Sequence, residues 1–334
     1  MMQSPSHQAA HDFNALFGTR LPIVAGGLMW LSDANYVAAA ARAGILSFIT
    51  AASFPDEDDL RAEIRKCRDL AEGAPFGVNV SMLPKLVPGE KIEGVFRIII
   101  EEGVKLVETS GRNPEAFLPM LKASGVKVLH KVPAVKYALK AQQIGVDAVS
   151  IVGAECGGHP GLEMIGSFVN AAIALEKLEI PYLIGGGIGH GAQIAAAMAM
   201  GASGVVIGTK FLVAEEIWAH DDFKRRLIEA SESDTALIMS SIRNTVRALR
   251  NETTEAVQAL EAEKSDLTVQ DLLPLISGTT GREAYVTGDT RRGVLSAGHA
   301  LAFVDQIEPL ADIVASLEEQ ANSTFERMKA ISHL

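Results

Sequence analysis

The sequence has little cysteine and no excess of basic residues. Its 334 residues include only Cys67 and Cys156, too few for a disulfide framework and without the paired spacing of a zinc site. The formal net charge of −11 gives no basic field that would attract a phosphate backbone. We therefore expect a reducing cytoplasmic setting, no metal centre and no nucleic-acid partner.

Long apolar runs and several nucleotide-binding motifs are also absent. No stretch approaches the roughly 18 apolar residues of a membrane span, and residues 1–18 lack the basic start and apolar run of a signal peptide. No GxGxxG follows an opening strand, and neither a Walker loop nor HExxH occurs. The sequence thus predicts no membrane association and no separate nicotinamide-binding domain.

Eight short apolar runs between Leu21 and Glu215 alternate with helical patterns. Phrases such as EEGVKLVET and QQIGVDAVSIV end a helix at glycine and open a strand at once, which is typical of βαβ units. Eight units in about 200 residues fit a (β/α)8 TIM barrel better than the alternative, a doubly wound sheet. The predicted strands are 22–25, 46–50, 76–80, 104–108, 126–131, 148–152, 182–185 and 204–207.

The rest of the chain differs in composition. We predict an N-terminal arm over residues 1–20, the α/β barrel over 21–215 and a mainly helical extension over 216–334, which packs on the barrel as a lid or side subdomain. EAVQALEAE and ADIVASLEEQANSTFERMKAI are its clearest helices. Residues 277–301, rich in Gly, Thr and Arg, are predicted to be an ordered loop.

Two glycine-rich turns follow the last two predicted strands, where barrel enzymes commonly bind phosphate. Glycine lets backbone N–H groups approach an anion closely, and a following helix N-terminus adds partial positive charge. The alternative is that these glycines only form tight turns. The predicted phosphate-binding residues are Gly186, Gly187, Gly208 and Thr209.

The sixth predicted strand is followed by AECGGHPG, residues 154–161. Gly157 and Gly158 leave room for a flat ligand, and His159 is suited to hold or move a proton near neutral pH. A purely structural histidine is the alternative. Cys156 is interpreted as a packing residue, because no base stands beside it.

His130 and Lys131 end the fifth predicted strand. Adjacent strand residues face opposite ways, so only one of them can face the site, and we select Lys131. A cation there would balance negative charge on a reduced ring cofactor. The alternative is an ion pair between Lys131 and a carboxylate such as Glu108 or Asp147.

The opening strand and the third strand supply the remaining candidates. Gly26 and Gly27 permit close approach to a ring, and the Asn79 amide can both donate and accept hydrogen bonds at its edge. Met29 and Trp30 are candidate substrate contacts, with core packing as the alternative.

In these blocks the sequence resembles the nitronate monooxygenase family, formerly called 2-nitropropane dioxygenases, which are FMN-binding barrels. The segments that carry the resemblance occur in the same order as in the family: PIVAGGLMW, PFGVNVSML, VKLVETSGRNP, GVDAVSIVGAECGGHPG, PYLIGGGIGHG and GASGVVIGTKFL. The resemblance implies that His159 is catalytic or faces the substrate. The flavin contacts that it implies are Gly26, Asn79, Lys131, Gly157, Gly158, Gly186, Gly187, Gly208 and Thr209.

Within the family, three segments most resemble the NAD(P)H:quinone reductase branch: HK, ECGGHPG and MSSIRNTVRALRN. This implies NADH or NADPH as co-substrate, a quinone as small-molecule acceptor and a ping-pong reaction, and a homodimer is possible. The alternatives are a nitronate monooxygenase, an enoyl-thioester reductase (which GVLSAGHALAFVD resembles), a non-catalytic flavin-binding protein and a sugar-phosphate barrel enzyme without flavin.

Two residues depart from the family pattern. Val152 stands where the quinone reductase branch commonly has an acidic residue. His190 replaces the aspartate of the GGIxDG turn, which is expected to remove a helix N-cap.

Overall fold

The computed structural model describes residues 12–82 and 91–331, and eight parallel strands close into a barrel in the order β1 to β8. The predicted TIM barrel is confirmed. The barrel strands are β1 (Ile23–Ala25), β2 (Leu46–Thr50), β3 (Gly77–Met82), β4 (Leu106–Gly111), β5 (Lys127–Val132), β6 (Ala148–Val152), β7 (Tyr182–Gly185) and β8 (Gly204–Ile207).

Helices surround the strands and continue after the barrel. They are α1 (Asp12–Phe17), α2 (Ala34–Arg42), α3 (Glu57–Leu70), α4 (Ile92–Glu101), α5 (Leu118–Ala123), α6 (Val135–Ile144), α7 (Ser167–Lys177), α8 (Gly191–Ala199), α9 (Asp221–Ile228), α10 (Glu252–Glu263), α11 (Val269–Ile276), α12 (Gly278–Thr287) and α13 (Leu310–Ala330). In the described part of the chain, no helix combines the length and apolarity that a membrane crossing requires.

Four predicted strands agree with the structure at both ends, and the others differ by one to three residues at an end. The largest shift is at β4, predicted as 104–108 and observed as Leu106–Gly111. The Val104 N–H still bonds to the Ile99 carbonyl at the end of α4, and Gly103 there has a φ of +71°. The start of the predicted strand, Val104, is therefore still bonded to the end of helix α4, and the strand begins two residues later.

The N-terminal end of the barrel is closed by two aromatic rings. Phe13 and Phe17 of α1 lie 4.9 Å apart, centroid to centroid, and both are buried. Helix α1, which belongs to the predicted N-terminal arm, therefore covers the N-terminal opening of the barrel. The rings pack with the inward-facing strand residues Val24, Leu46, Phe48, Leu106, Leu129, Ala148, Leu183 and Val206.

The region after β8 contains elements that the sequence did not indicate. Strands β9 (Thr235–Ile238) and β10 (Val246–Leu249) form an antiparallel pair. The prediction of a loop over 277–301 is wrong for its first part, because α12 begins at Gly278 and ends before Gly288, whose φ is +79°. A Cβ on Gly281 of this helix would meet the Val294 carbonyl at 3.4 Å, so tertiary packing favours a helix here despite its poor propensity.

Helix α13 packs closely on α8. A Cβ on Gly191 would lie 2.3 Å from the Ala321 nitrogen, and the Gly191 N–H donates to Gln320 Oε1 at 2.8 Å. At the start of α8, His190 Nδ1 accepts a hydrogen bond from the Ala192 N–H at 3.0 Å. The expectation that His190 removes an N-cap is therefore wrong, because a neutral imidazole nitrogen accepts as a carboxylate would.

Candidate active site at the C-terminal rim

The inner face of the barrel changes from apolar to polar toward its C-terminal end. Side chains alternate along a strand, so a residue two positions beyond each inner apolar residue faces the same interior. Leu106 is followed in this way by Glu108, Leu129 by Lys131 and Ala148 by Ser150. Of the pair at the end of β5, Lys131 thus faces inward.

A hydrogen-bonded chain joins these side chains across β3, β4 and β5. Glu108 Oε2 accepts from Asn79 Nδ2 and, at 3.0 Å, from Lys131 Nζ. Ser81 Oγ donates to Asn79 Oδ1 at 3.2 Å and contacts Ser110 Oγ at 3.0 Å. The ion pair that was the alternative interpretation of Lys131 is therefore present, on the same inward face.

Two buried oxygens beside this chain have no hydrogen-bond partner among the described residues. They are Glu108 Oε1 and Ser150 Oγ, and both residues have an exposure of 0%. Buried polar atoms are rarely left unpaired in folded proteins. These two unpaired atoms lack the hydrogen bonds that a polar ligand would supply at this level of the barrel.

His130 points outward, toward the helices. Its Nδ1 lies 2.8 Å from Thr109 Oγ1, and burial lowers the pKa of His130 to about 4, which a hydrogen bond with the Thr109 backbone opposes. His130 is therefore a neutral residue between strands and helices, with no access to the barrel interior.

This burial predicts a pH dependence of stability. Above pH 6.5 His130 is neutral in both states; between 6.5 and about 4 the unfolded chain binds the proton more strongly, so the free energy of unfolding falls as pH falls. The loss is about 3 kcal/mol in total. Urea unfolding of the parent and His130→Gln should show that the stability difference between them shrinks by this amount from pH 7 to 4. A constant difference would contradict it.

The turn after β7 presents unpaired backbone donors. Gly186 and Gly187 have φ values of +103° and +69°, a region that disfavours side chains. Ser167 Oγ lies 2.8 Å from the Gly185 carbonyl oxygen and 3.0 Å from the Gly186 carbonyl oxygen, within hydrogen-bond distance of both. No hydrogen bond within the described ranges uses the N–H groups of Gly186 and Gly187. These groups remain free for an anion at the rim.

The turn after β8 connects to the C-terminal region. Thr209 Oγ1 accepts from the Gly298 N–H at 3.0 Å, and Lys210 Nζ donates to the Phe303 carbonyl at 2.6 Å. The nearest atom to a Cβ on Gly208 would be Leu28 Cδ2, 3.8 Å away, so this glycine borders open space.

The loop after β6 is fixed by two later segments. A Cβ on Gly157 would lie 2.7 Å from the Ala297 carbonyl carbon. The Gly158 N–H donates to the Arg247 carbonyl at 2.9 Å, and the Arg247 N–H returns a bond to Gly158 at 2.7 Å. The buried Arg247 guanidinium also donates to the Ala154 carbonyl at 3.0 Å. These glycines thus have a demonstrable packing role, and their flavin contact stays a prediction.

His159 lies exposed at the end of this loop, in surroundings that still desolvate it. Desolvation lowers the pKa of His159 below its ordinary value, and a hydrogen bond with Asn244 from the β9–β10 turn opposes this shift. At neutral pH the imidazole is therefore uncharged. Desolvation raises the pKa of the neighbouring Cys156 thiol to about 12, which fits a packing residue better than a nucleophile.

The loop after β1 lies under α12. Trp30 has a φ of +69°; its N–H donates to Ser53 Oγ and its carbonyl accepts from Trp218 Nε1, both at 2.8 Å. The Arg282 guanidinium of α12 lies 5.8 Å from the Trp30 ring centroid. Met29 beside it is 45% exposed. Both residues therefore lie at the rim and outside the barrel interior.

Gly26 and Gly27 permit close packing at the end of β1. The Gly26 N–H bonds to the Ile207 carbonyl at 2.9 Å, which continues the ladder with β8. A Cβ on Gly27 would lie 2.9 Å from the Asn79 Cβ. Gly27 is therefore needed for Asn79 to lie beside this loop.

Sequence reasoning missed several residues of this region as parts of the site: Ser150, Asn244 and Arg247, with Glu108 considered only as a possible partner of Lys131. The two-residue periodicity of β4 and β6 was a usable signal for Glu108 and Ser150. Arg247 and Asn244 lie in the MSSIRNTVRALRN block, but nothing in that block indicates their contacts, because these are made across the fold.

A closed barrel with a polar inner floor and glycine turns at its C-terminal rim is the architecture of a TIM-barrel enzyme. The sequence profile of the family described as nitronate monooxygenase matches residues 11–320. The chain belongs to the nitronate monooxygenase family and is an FMN-dependent oxidoreductase.

Relatives that match nearly the whole chain carry different activities in their names. A Rhodococcus jostii (strain RHA1) protein, the (3aS,4S,5R,7aS)-5-hydroxy-7a-methyl-1-oxo-octahydro-1H-indene-4-carboxyl-CoA dehydrogenase, is 27% identical, covering 95% of this chain and 97% of the relative. A probable nitronate monooxygenase of Staphylococcus saprophyticus is 25% identical over 93% of this chain and 98% of its own.

Two solved structures share the fold over almost their whole length. FabK from Thermotoga maritima has a TM-score of 0.87 and 30% identity, covering 95% of this chain and 97% of that one. A nitroalkane oxidase from Streptomyces ansochromogenes has a TM-score of 0.79 and 25% identity, covering 94% and 99%.

Proposed function

We propose that this protein transfers hydride from NADH or NADPH to a quinone through FMN bound at the C-terminal rim of the barrel. When bound, FMN would supply a ring that accepts hydride at N5 and returns it to a second substrate. Backbone N–H groups of Gly186, Gly187, Gly208 and Thr209 would hold the phosphate. Gly26, Gly27, Asn79, Gly157 and Gly158 would border the ring, with Lys131 near its pyrimidine edge.

The residues present fit such a group. Free N–H groups on two glycines with positive φ are suited to a phosphate. The polar layer inside the barrel contains the Lys131 ammonium, the Asn79 amide and the unpaired oxygens Glu108 Oε1 and Ser150 Oγ. These donors and acceptors match the polar edge of a flavin. His159, Met29 and Trp30 would face the second substrate.

The charge of the predicted catalytic side chains favours a quinone over a nitronate as the second substrate. Lys131 is paired with Glu108, and His159 is uncharged at neutral pH, so neither of the two predicted catalytic side chains offers an uncompensated positive charge to an anionic nitronate. A neutral, electron-poor acceptor such as a quinone suits this environment better. His159 would orient that acceptor by hydrogen bonding.

An unsaturated acyl thioester is a second candidate. The atoms of such a thioester that would accept the hydride carry no charge. A relative that matches nearly the whole chain is named as a carboxyl-CoA dehydrogenase. The segment that resembles enoyl-thioester reductases lies against the GGH loop, since Gly298 donates to Thr209 and packs beside Gly157.

Anaerobic mixing of the oxidised protein with NADH, NADPH and an alkyl nitronate in separate experiments tests the proposal. We expect a nicotinamide to bleach the flavin spectrum and a quinone to restore it, with an enoyl-CoA tested in parallel. Bleaching by the nitronate alone would identify nitronate oxidation instead. Flavin released by heat should run as FMN on chromatography; FAD, or no flavin at all, would contradict the cofactor assignment.

A further inference from the structure

We propose that Glu108 is a positioning residue that sets the reduction potential of the flavin, by holding Lys131 and Asn79 and cancelling the charge of Lys131. The inference rests on the proposed function, because it takes Lys131 to lie beside the pyrimidine edge of FMN. It concerns a carboxylate that does not itself need to touch the flavin.

Glu108 lies at the centre of the polar layer inside the barrel, where it contacts both Asn79 and Lys131. Asn79 Nδ2 and Lys131 Nζ donate to the same atom, Glu108 Oε2, from the two strands on either side of β4. Both donors are predicted flavin contacts. One carboxylate oxygen therefore fixes the position of two side chains that would meet the ring.

Burial makes the charge of Glu108 effective. The Glu108 side chain is 0% exposed and that of Lys131 is 22% exposed, so water screens this pair much less than it screens a surface ion pair. Together the two groups carry no net charge. Removing either charge leaves the other uncompensated in a poorly solvated interior, where its field on a neighbouring ring is strong.

The other carboxylate oxygen allows a clean substitution. Glu108 Oε1 has no partner in the described structure, so a glutamine at this position can put its amide nitrogen there and keep its oxygen on Asn79 and Lys131. Glu108→Gln thus removes one negative charge while both hydrogen bonds remain possible. Lys131→Met removes the opposing charge at similar volume.

The two charges predict an order of potentials. The pair sums to zero in the parent, +1 in Glu108→Gln, −1 in Lys131→Met and zero again in the double variant. Positive charge favours the reduced, anionic flavin. We expect the midpoint potential to rise in Glu108→Gln, to fall in Lys131→Met and to return near the parent value in the double variant.

Equilibration with a reference dye during slow anaerobic reduction measures these potentials. We expect each single variant to change the reduction equilibrium constant about tenfold, or ~30 mV for a two-electron couple. If Glu108 only positions Lys131, both single variants should lower the potential and the double variant should stay at the Lys131→Met value, which would overturn the inference.

The outcomes separate this inference from the proposed function. Parent protein that binds no flavin defeats the proposed function. If Glu108→Gln folds, binds FMN and has the same midpoint potential as the parent, the role of Glu108 is wrong but the proposed function still stands. If Glu108→Gln alone fails to fold, Lys131→Met and the double variant still decide, because removing the Glu108 charge from Lys131→Met should raise the potential toward the parent value. Equal potentials in these two variants would overturn the inference.

Discussion

Gly187→Asp should give a protein that purifies without FMN. At this position φ is +69° and a Cβ would lie 2.9 Å from the Glu155 Cβ, so the new side chain meets both backbone strain and a crowded neighbour. Its carboxylate would also stand beside Glu155 and where free N–H groups are proposed to meet a phosphate, and like charges repel strongly at such distances. Flavin absorbance per mole of protein should fall at least tenfold.

Gly103→Asp is the matched control for backbone strain. Gly103 has a φ of +71°, is exposed, and has no atom within 4 Å of the place that a Cβ would take, so the same substitution there costs strain without touching the rim. It should retain full FMN. Gly208→Asp adds the charge where φ is negative and space is open, and should also weaken FMN binding. A folded Gly187→Asp protein with normal flavin content would contradict the proposed phosphate position.

His159→Ala should slow the acceptor half-reaction by about 10- to 100-fold and leave flavin reduction by NAD(P)H nearly unchanged. The physical reason is the uncharged, desolvated imidazole, which can orient an acceptor by hydrogen bonding. A loss of about 100- to 10,000-fold in the acceptor step would instead identify His159 as a proton-transfer catalyst.

Stopped-flow measurement of the two half-reactions separates these outcomes. His220→Ala is a suitable control, because His220 is also an exposed histidine but caps α9, where its Nδ1 accepts from the Asp222 N–H. This variant should keep both half-reaction rates. If His159→Ala runs both at the parent rate with every acceptor tested, His159 has a structural role and the site assigned from the GGH block is wrong.

The barrel was predictable because each βα unit carries its own signal. Strands buried on both sides need continuous apolar runs, and helices that close at glycine, such as α6 at Gly145, mark where each strand begins. The inward position of Lys131 also follows from local periodicity, since neighbouring strand residues must face opposite sides. The ends of β4 were less predictable, because residues 103 and 104 still close the preceding helix.

The extension was much less predictable. Helix α12 has a glycine- and threonine-rich sequence with poor intrinsic propensity, and the β9–β10 pair consists of two four-residue strands. Short elements of this kind are decided by what they pack against. His190 shows the same limit at one residue: a histidine is an unexpected N-cap, and only the geometry around Ala192 makes it one.

By itself, the sequence determined the eight-stranded barrel and its glycine turns, because these depend on patterns within ten or twenty consecutive residues. The residues that a flavin would meet at the rim stay a prediction, which the family resemblance supports. Only the tertiary structure decided how the rim is closed and charged. The Thr209–Gly298 bond joins residues 89 apart, and the Arg247–Ala154 bond joins residues 93 apart. Such contacts leave no local pattern, since each partner's environment is created by the folding of the rest of the chain.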